Sequence, residues 1–75
     1  MATSNIQNYI RRLRFNADEM TQQQLADKVQ VSRQTIVAIE KGNYSPSLEL
    51  AFKLSRVFKT PLEEVFRYES AEEKL

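Results

Sequence analysis

Seventy-five residues, of which 41% are apolar, suffice for one folded domain, but its core is thin enough for self-association to matter. Cysteine and histidine are both absent, which excludes a disulfide framework and any thiolate or imidazole metal site, and the carboxylates show no calcium-loop spacing. The net charge of +1 indicates no partner, and with neither a charged-then-apolar leader nor a long apolar run the expectation is a cytoplasmic chain that does not span a membrane.

In the first segment Ile6, Tyr9, Ile10 and Leu13 recur at helical spacing, predicting a helix over residues 5–15 capped by Ser4 or Asn5. Arg11, Arg12 and Arg14 lie around its other sides, and residues 16–19 form a turn without glycine or proline.

Residues 21–40 organise the chain. They predict two short helices around a tight turn at Gln30 and Val31. Thr21 is placed to cap the first, with Gln24 at the capping-box position and Met20 and Leu25 as a hydrophobic staple. Leu25, Ala26 and Val29 form its buried stripe. Gln22 and Gln23 open it, where free backbone N–H groups and the positive helix end favour an anion. Ser32 caps the next helix, which turns Ile36 and Ile39 inward and carries Arg33, Gln34, Val37 and Ala38 outside. Val37 has two readings, outer surface or core. A short helix with a polar, long-armed leading turn suits the DNA major groove, where arginine reads guanine O6 and N7 and glutamine reads adenine N6 and N7. Thr35 is short and touches a base, a phosphate or only its own helix.

Gly42, the only glycine, stands where a left-handed helix cap is expected. Ser45 and Pro46 predict the start of a fourth helix that buries Leu48, Ala51, Leu54 and Phe58, with Leu50 and Phe52 at its margins. Thr60, Pro61 and Glu63 repeat the arrangement for a short fifth helix with Leu62, Val65 and Phe66, its apolar edge extended by Tyr68. The predicted class is all-α, a compact five-helix bundle without strands. Residues 4–68 form the domain and 69–75 a flexible tail. Up to Pro61 basic residues outnumber acidic ones, whereas Glu63, Glu64, Glu69, Glu72 and Glu73 make the end acidic. Such a polar molecule can meet phosphates with one face.

Nothing is poised for catalysis. The hydroxyl groups have no histidine base, and adjacent Glu63 and Glu64 point about 100 degrees apart on a helix. No glycine-rich phosphate loop occurs, and no cofactor or ligand pocket is implied.

Thr21-Gln22-Gln23-Gln24-Leu25-Ala26, Val31-Ser32-Arg33-Gln34-Thr35-Ile36, Ile39-Glu40-Lys41-Gly42 and Pro46-Ser47-Leu48-Glu49-Leu50-Ala51 together resemble the helix-turn-helix domain of the phage repressor and Cro family, also called the xenobiotic-response-element family. The resemblance covers about residues 6–66. It implies a lambda-repressor-like bundle that binds palindromic double-stranded DNA as a homodimer and regulates transcription, most often as a repressor. By position it assigns Gln22 to a phosphate; Arg33, Gln34 and Ala38 to base edges, with Val37 between them; and Lys41, Asn43 and Tyr44 to a loop clamping the DNA backbone. Gln23 and Thr35 complete the expected phosphate-contacting and base-reading sets. Arg14 and Glu40 match positions that pair as a salt bridge. Leu62, Val65, Phe66 and Tyr68 are expected at the dimer interface.

Three departures stand out. The stretch between Leu13 and Met20 is one residue longer than the common pattern. Gln30 and Lys59 stand where glycine is frequent, and a left-handed backbone there costs about 1 kcal/mol each. Ala38 replaces a long polar side chain found in some phage repressors and offers only a methyl group. The alternative expectation is a protein-binding adaptor or antitoxin-like chain that uses the same fold, with Phe52, Val65, Phe66 and Tyr68 meeting an unidentified protein partner.

Overall fold

The computed structural model describes residues 5–68. The expectations placed on Ser4 and on residues 69–75 lie outside the described residues. The elements are β1 (Ile6–Asn8), α1 (Ile10–Asn16), α2 (Gln22–Val29), α3 (Arg33–Lys41), α4 (Leu48–Phe58), α5 (Leu62–Val65) and β2 (Phe66–Tyr68). The five helices enclose one core of Ile10, Leu25, Ala26, Val29, Ile36, Ile39, Leu50, Leu54 and Val65. Leu13, Met20, Val31, Val57, Phe58 and Phe66 close over its edges. None of these helices is long enough to stand alone in water, so each depends on that shared burial.

The middle of the chain follows its local signals. Thr21 Oγ1 accepts from the Gln24 N–H at 3.0 Å, and the Thr21 N–H donates to Gln24 Oε1 at 2.8 Å, which completes the capping box. Ser32 Oγ accepts from the Thr35 N–H at 3.2 Å. Gly42 ends α3 with φ 81°. Gln30 and Lys59 do adopt the left-handed conformation, with φ 64° and 54°. The long turn before α2 uses the same device twice in succession, at Asp18 (φ 65°) and Glu19 (φ 56°). It returns the chain so that the Met20 N–H donates to the Arg14 carbonyl at 2.9 Å.

The ends of the domain differ from expectation. Ile6 belongs to a strand, and α1 begins at Ile10 without a cap from Asn5. β1 pairs antiparallel with β2 in the register Ile6↔Tyr68, Gln7↔Arg67, Asn8↔Phe66. Phe66 and Tyr68 therefore continue a ribbon rather than a fifth helix. Three-residue strands carry too little periodicity to be read locally, and their partners are some sixty positions apart.

Two helix starts also shift. Ser47, not Ser45, caps α4, accepting from the Leu50 N–H at 3.1 Å, so Pro46 precedes the cap. Pro61 itself occupies the cap position of α5, and the buried Thr60 Oγ1 has no hydrogen-bond partner. Helix α4 buries Leu50, Ala51 and Leu54 and leaves Leu48 69% exposed. Its apolar residues are dense enough to define two overlapping stripes, and packing against α2 and α5 selects the one centred on Leu54.

Replacing Lys59 by glycine relieves a left-handed backbone at no cost in packing, since Lys59 is exposed. The K59G variant is expected to gain up to about 1 kcal/mol in urea unfolding. A lowered midpoint would show that Lys59 contributes contacts that outweigh the strain.

Candidate nucleic-acid interface

Three helices meet at one carboxylate. Arg14, on α1, grips Glu40, near the end of α3, through Nε to Oε2 at 2.7 Å and Nη2 to Oε1 at 3.1 Å. The remaining guanidinium nitrogen, Nη1, donates to the Met20 carbonyl at 2.9 Å. Gln22, the first residue of α2, donates from Nε2 to Glu40 Oε1 at 3.2 Å. The Arg14 and Glu40 side chains are only 15% and 10% exposed, so the pair is partly desolvated and bidentate. Its main effect is orientation. It sets α3 against α1 and α2 with a fork whose geometry admits little rotation.

With α3 fixed in this way, its first turn faces outward. Arg33 and Gln34 are exposed, and no hydrogen bond or ion pair engages either side chain among the described residues. Thr35 is half-buried, and its hydroxyl lies 3.0 Å from Ser32 Oγ, so the helix cap holds it. Val37 and Ala38 are half-buried. Val37 lies along an open cleft between the leading end of α2 and the outer side of α3, together with Arg11, Gln22, Gln23, Arg33 and Lys41. Arg14 neutralises Glu40 there, which leaves the cations Arg11, Arg33 and Lys41 against the single carboxylate of Glu19 around the cleft.

The flanks of the cleft carry hydrogen-bond donors and a lysine. Gln22 and Gln23 occupy the first turn of α2, where no carbonyl within the helix reaches their N–H groups. The Gln22 carboxamide keeps a second N–H beyond the one given to Glu40. The Gln23 side chain folds along its own helix, with Nε2 2.9 Å from Asp27 Oδ1. At the other side of the cleft Lys41 ends α3, and exposed Asn43 and Tyr44 follow Gly42. Arg11 is the residue not anticipated in the site. It sits three positions before Arg14 and so shares its helix face, which is the signal by which it could have been found.

The apolar surface lies elsewhere. Ile6, Pro46, Leu48, Ala51, Leu62 and Phe66 line a shallow groove beside α4 and α5. Tyr68 is 60% exposed on β2. Val65, expected at a dimer interface, has no exposed surface and is part of its own chain's core. It cannot meet a partner, because α5 is a single turn and packing its inward side consumes that residue. The same burial removes Val65 from the patch expected to meet a protein partner.

Removing Arg14 leaves the Glu40 carboxylate poorly solvated and held by Gln22 alone. The R14M variant is expected to lose about 2–3 kcal/mol of stability in urea, and the double variant R14M/E40M less than that. A double variant no more stable than R14M would mean that the pair is not coupled in this way.

Comparison with known proteins agrees with this geometry. The helix-turn-helix family matches residues 8–65. The chain is 57% identical over 53 residues to an uncharacterised HTH-type transcriptional regulator of Methanocaldococcus jannaschii, covering 71% of this chain and 80% of that one. It is 49% identical over 61 residues to an uncharacterised HTH-type transcriptional regulator of Archaeoglobus fulgidus, covering 81% and 82%. It is also 38% identical over 56 residues to the cryptic phage CTXphi transcriptional repressor RstR of Vibrio cholerae, covering 75% of this chain and half of that protein. With three helices joined at Glu40 and the leading turn of α3 exposed, the chain belongs to the helix-turn-helix family of DNA-binding transcriptional regulators of the XRE and Cro type.

Proposed function

We propose that this regulator is a repressor that binds palindromic duplex operators as a homodimer, acting in the cytoplasm, with α3 in the major groove. The observation that carries the proposal is the open first turn of α3, where the Arg33 and Gln34 side chains are exposed and have no partner among the described residues. Arg33 is assigned to guanine O6 and N7 and Gln34 to adenine N6 and N7. Val37 and Ala38 offer apolar contact to thymine methyl groups, and Thr35 adds a short contact. Gln22, Gln23, Lys41, Asn43 and Tyr44 hold the phosphates on either side, which sets register without reading sequence. The repressor role draws support from the likeness to the phage repressor.

So few base contacts per chain give weak discrimination, and a two-fold pair doubles them. The apolar groove of Leu48, Ala51, Leu62 and Phe66 supports self-association, with Tyr68 at its ribbon end. In this proposal the dimer contact lies on α4 as well as α5. The exposure of Leu48, Phe52 and Tyr68 also favours a second reading, in which an adaptor or antitoxin-like chain meets a different protein there. A stoichiometric protein partner from native extract, with duplex binding absent, would select that reading.

Duplexes selected from a random pool and titrated by fluorescence anisotropy test the base contacts. Arg33→Ala is expected to weaken the selected duplex by about 1–3 kcal/mol and relax its preference at one position. Lys41→Ala should weaken selected and scrambled duplexes alike and lower the salt slope by about 1. Equal affinity of the parent for both duplexes would refute sequence-specific binding.

Leu48→Asp tests the dimer. An acid at the first position of α4 suits the helix dipole, and Leu48 is already 69% exposed, so folding should survive. Sedimentation at micromolar concentration should shift from dimer to monomer. A parent that stays monomeric even on a palindromic duplex would remove the dimer from the proposal.

A further inference from the structure

The ribbon reaches the recognition helix through one side chain. Asn8 lies in β1 opposite Phe66, yet its carboxamide engages two helix ends at once. Nδ2 donates to the Ile39 carbonyl at 3.0 Å and lies 3.4 Å from the Glu40 carbonyl, both in the last turn of α3. Oδ1 accepts from the Ile10 N–H at 3.2 Å, in the first turn of α1. The last turn of a helix exposes carbonyls that its own backbone leaves short of donors. Here the Gly42 N–H reaches the Ile39 carbonyl and the Asn43 N–H reaches the Ala38 carbonyl, each at 3.0 Å. Asn8 adds a donor from more than thirty residues away at the point where α3 gives way to the Gly42–Tyr44 loop.

The surroundings make this a joint. Ile6, Asn8, Ile39, Gly42, Tyr44 and Phe66 line one small pocket between ribbon and loop. Ile6 and Phe66 also border the apolar groove. The Arg14–Glu40 fork sets the tilt of α3, and the Ser32 cap holds its start. The Asn8 contact and the Gly42 cap stand together where the chain leaves α3 for Asn43 and Tyr44.

We propose that Asn8 is a positioning residue for DNA binding: its amide donor ties the end of the recognition helix to the β1–β2 ribbon and so holds the Lys41–Tyr44 segment at phosphate distance. The inference rests on the DNA-binding reading above and deepens it, because Asn8 acts through the loop and touches no base.

The N8D variant separates this role from simple capping of α1. It is isosteric and keeps an oxygen for the Ile10 N–H, at a helix start where an acid is favoured. It removes the donor to α3 and sets a carboxylate against two carbonyls. If Asn8 only capped α1, N8D would lose only what its added negative charge costs, and the neutral N8S would match the parent. The proposal instead expects N8D to bind selected and scrambled duplexes about tenfold more weakly, the loss of roughly one charge-supported contact. The salt slope should fall by about 1 while the base preference stays the same. In the free protein, the Gly42 and Asn43 amides should exchange with solvent faster in N8D than in the parent. N8S is measured beside it and should show the same losses, since a hydroxyl can still serve the Ile10 N–H but is too short to reach the Ile39 carbonyl, and it adds no charge. Affinity within twofold of the parent, with unchanged salt slope and unchanged exchange at Gly42 and Asn43, overturns the proposal. A parent that binds no duplex refutes the DNA-binding reading separately, and the exchange measurement then decides alone whether Asn8 holds the end of α3.

Discussion

The Arg14–Glu40 fork is the constraint on which the exposed face of the molecule depends. A core of nine small and medium side chains holds five short helices together, but apolar contact alone tolerates rotation of one helix over another. A bidentate pair at 2.7 and 3.1 Å, with its remaining donor on the Met20 carbonyl and its acceptor shared with Gln22, tolerates far less. A pair this poorly solvated contributes little net stability. What it provides is one orientation for α3 relative to the opening of α2, and hence one spacing between the first turns of the two helices.

A division of labour among polar side chains follows. At the helix caps and helix junctions, polar groups are satisfied within the chain: Thr21 with Gln24, Ser32 with Thr35, Glu40 with Arg14 and Gln22, Asn8 with Ile10 and Ile39. On the outer side, Arg33, Gln34 and Lys41 are exposed, with no side-chain partner among the described residues. A long side chain left without partners retains its entropy until something orders it, so a ligand must supply enough hydrogen bonding to offset that loss. Duplex DNA, with paired acceptors at its base edges and charge along its backbone, meets that condition.

The turns show how little glycine this arrangement requires. Among the described residues four other than glycine adopt positive φ, and three of these positions, Asp18, Glu19 and Gln30, flank α2. The domain accepts that local strain because the turns fix where α2 begins and ends, and α2 carries both Gln22 and the centre of the core. The stretch between Leu13 and Met20 turns by the same means. Consecutive left-handed residues bring Met20 back over Arg14 rather than letting the loop extend.

Much of this was legible in the amino-acid order alone. Caps act through groups two or three positions apart, so Thr21, Gln24, Ser32 and Gly42 could be placed without knowing what packs on them. The stripe of Leu25, Ala26, Val29, Ile36 and Ile39 was equally local, and the four quoted motifs identified the family. Tertiary structure alone decided the β1–β2 ribbon, the stripe that α4 buries, the burial of Val65, the shift of the cap from Ser45 to Ser47, and the approach of Asn8 to α3. The physical reason is distance along the chain. Strand partners some sixty residues apart, or a carboxamide reaching a carbonyl thirty-one residues away, leave no periodic trace in either partner's own neighbourhood. Where Leu48, Leu50, Ala51 and Leu54 allow two faces for one helix, only the surface it packs against can choose.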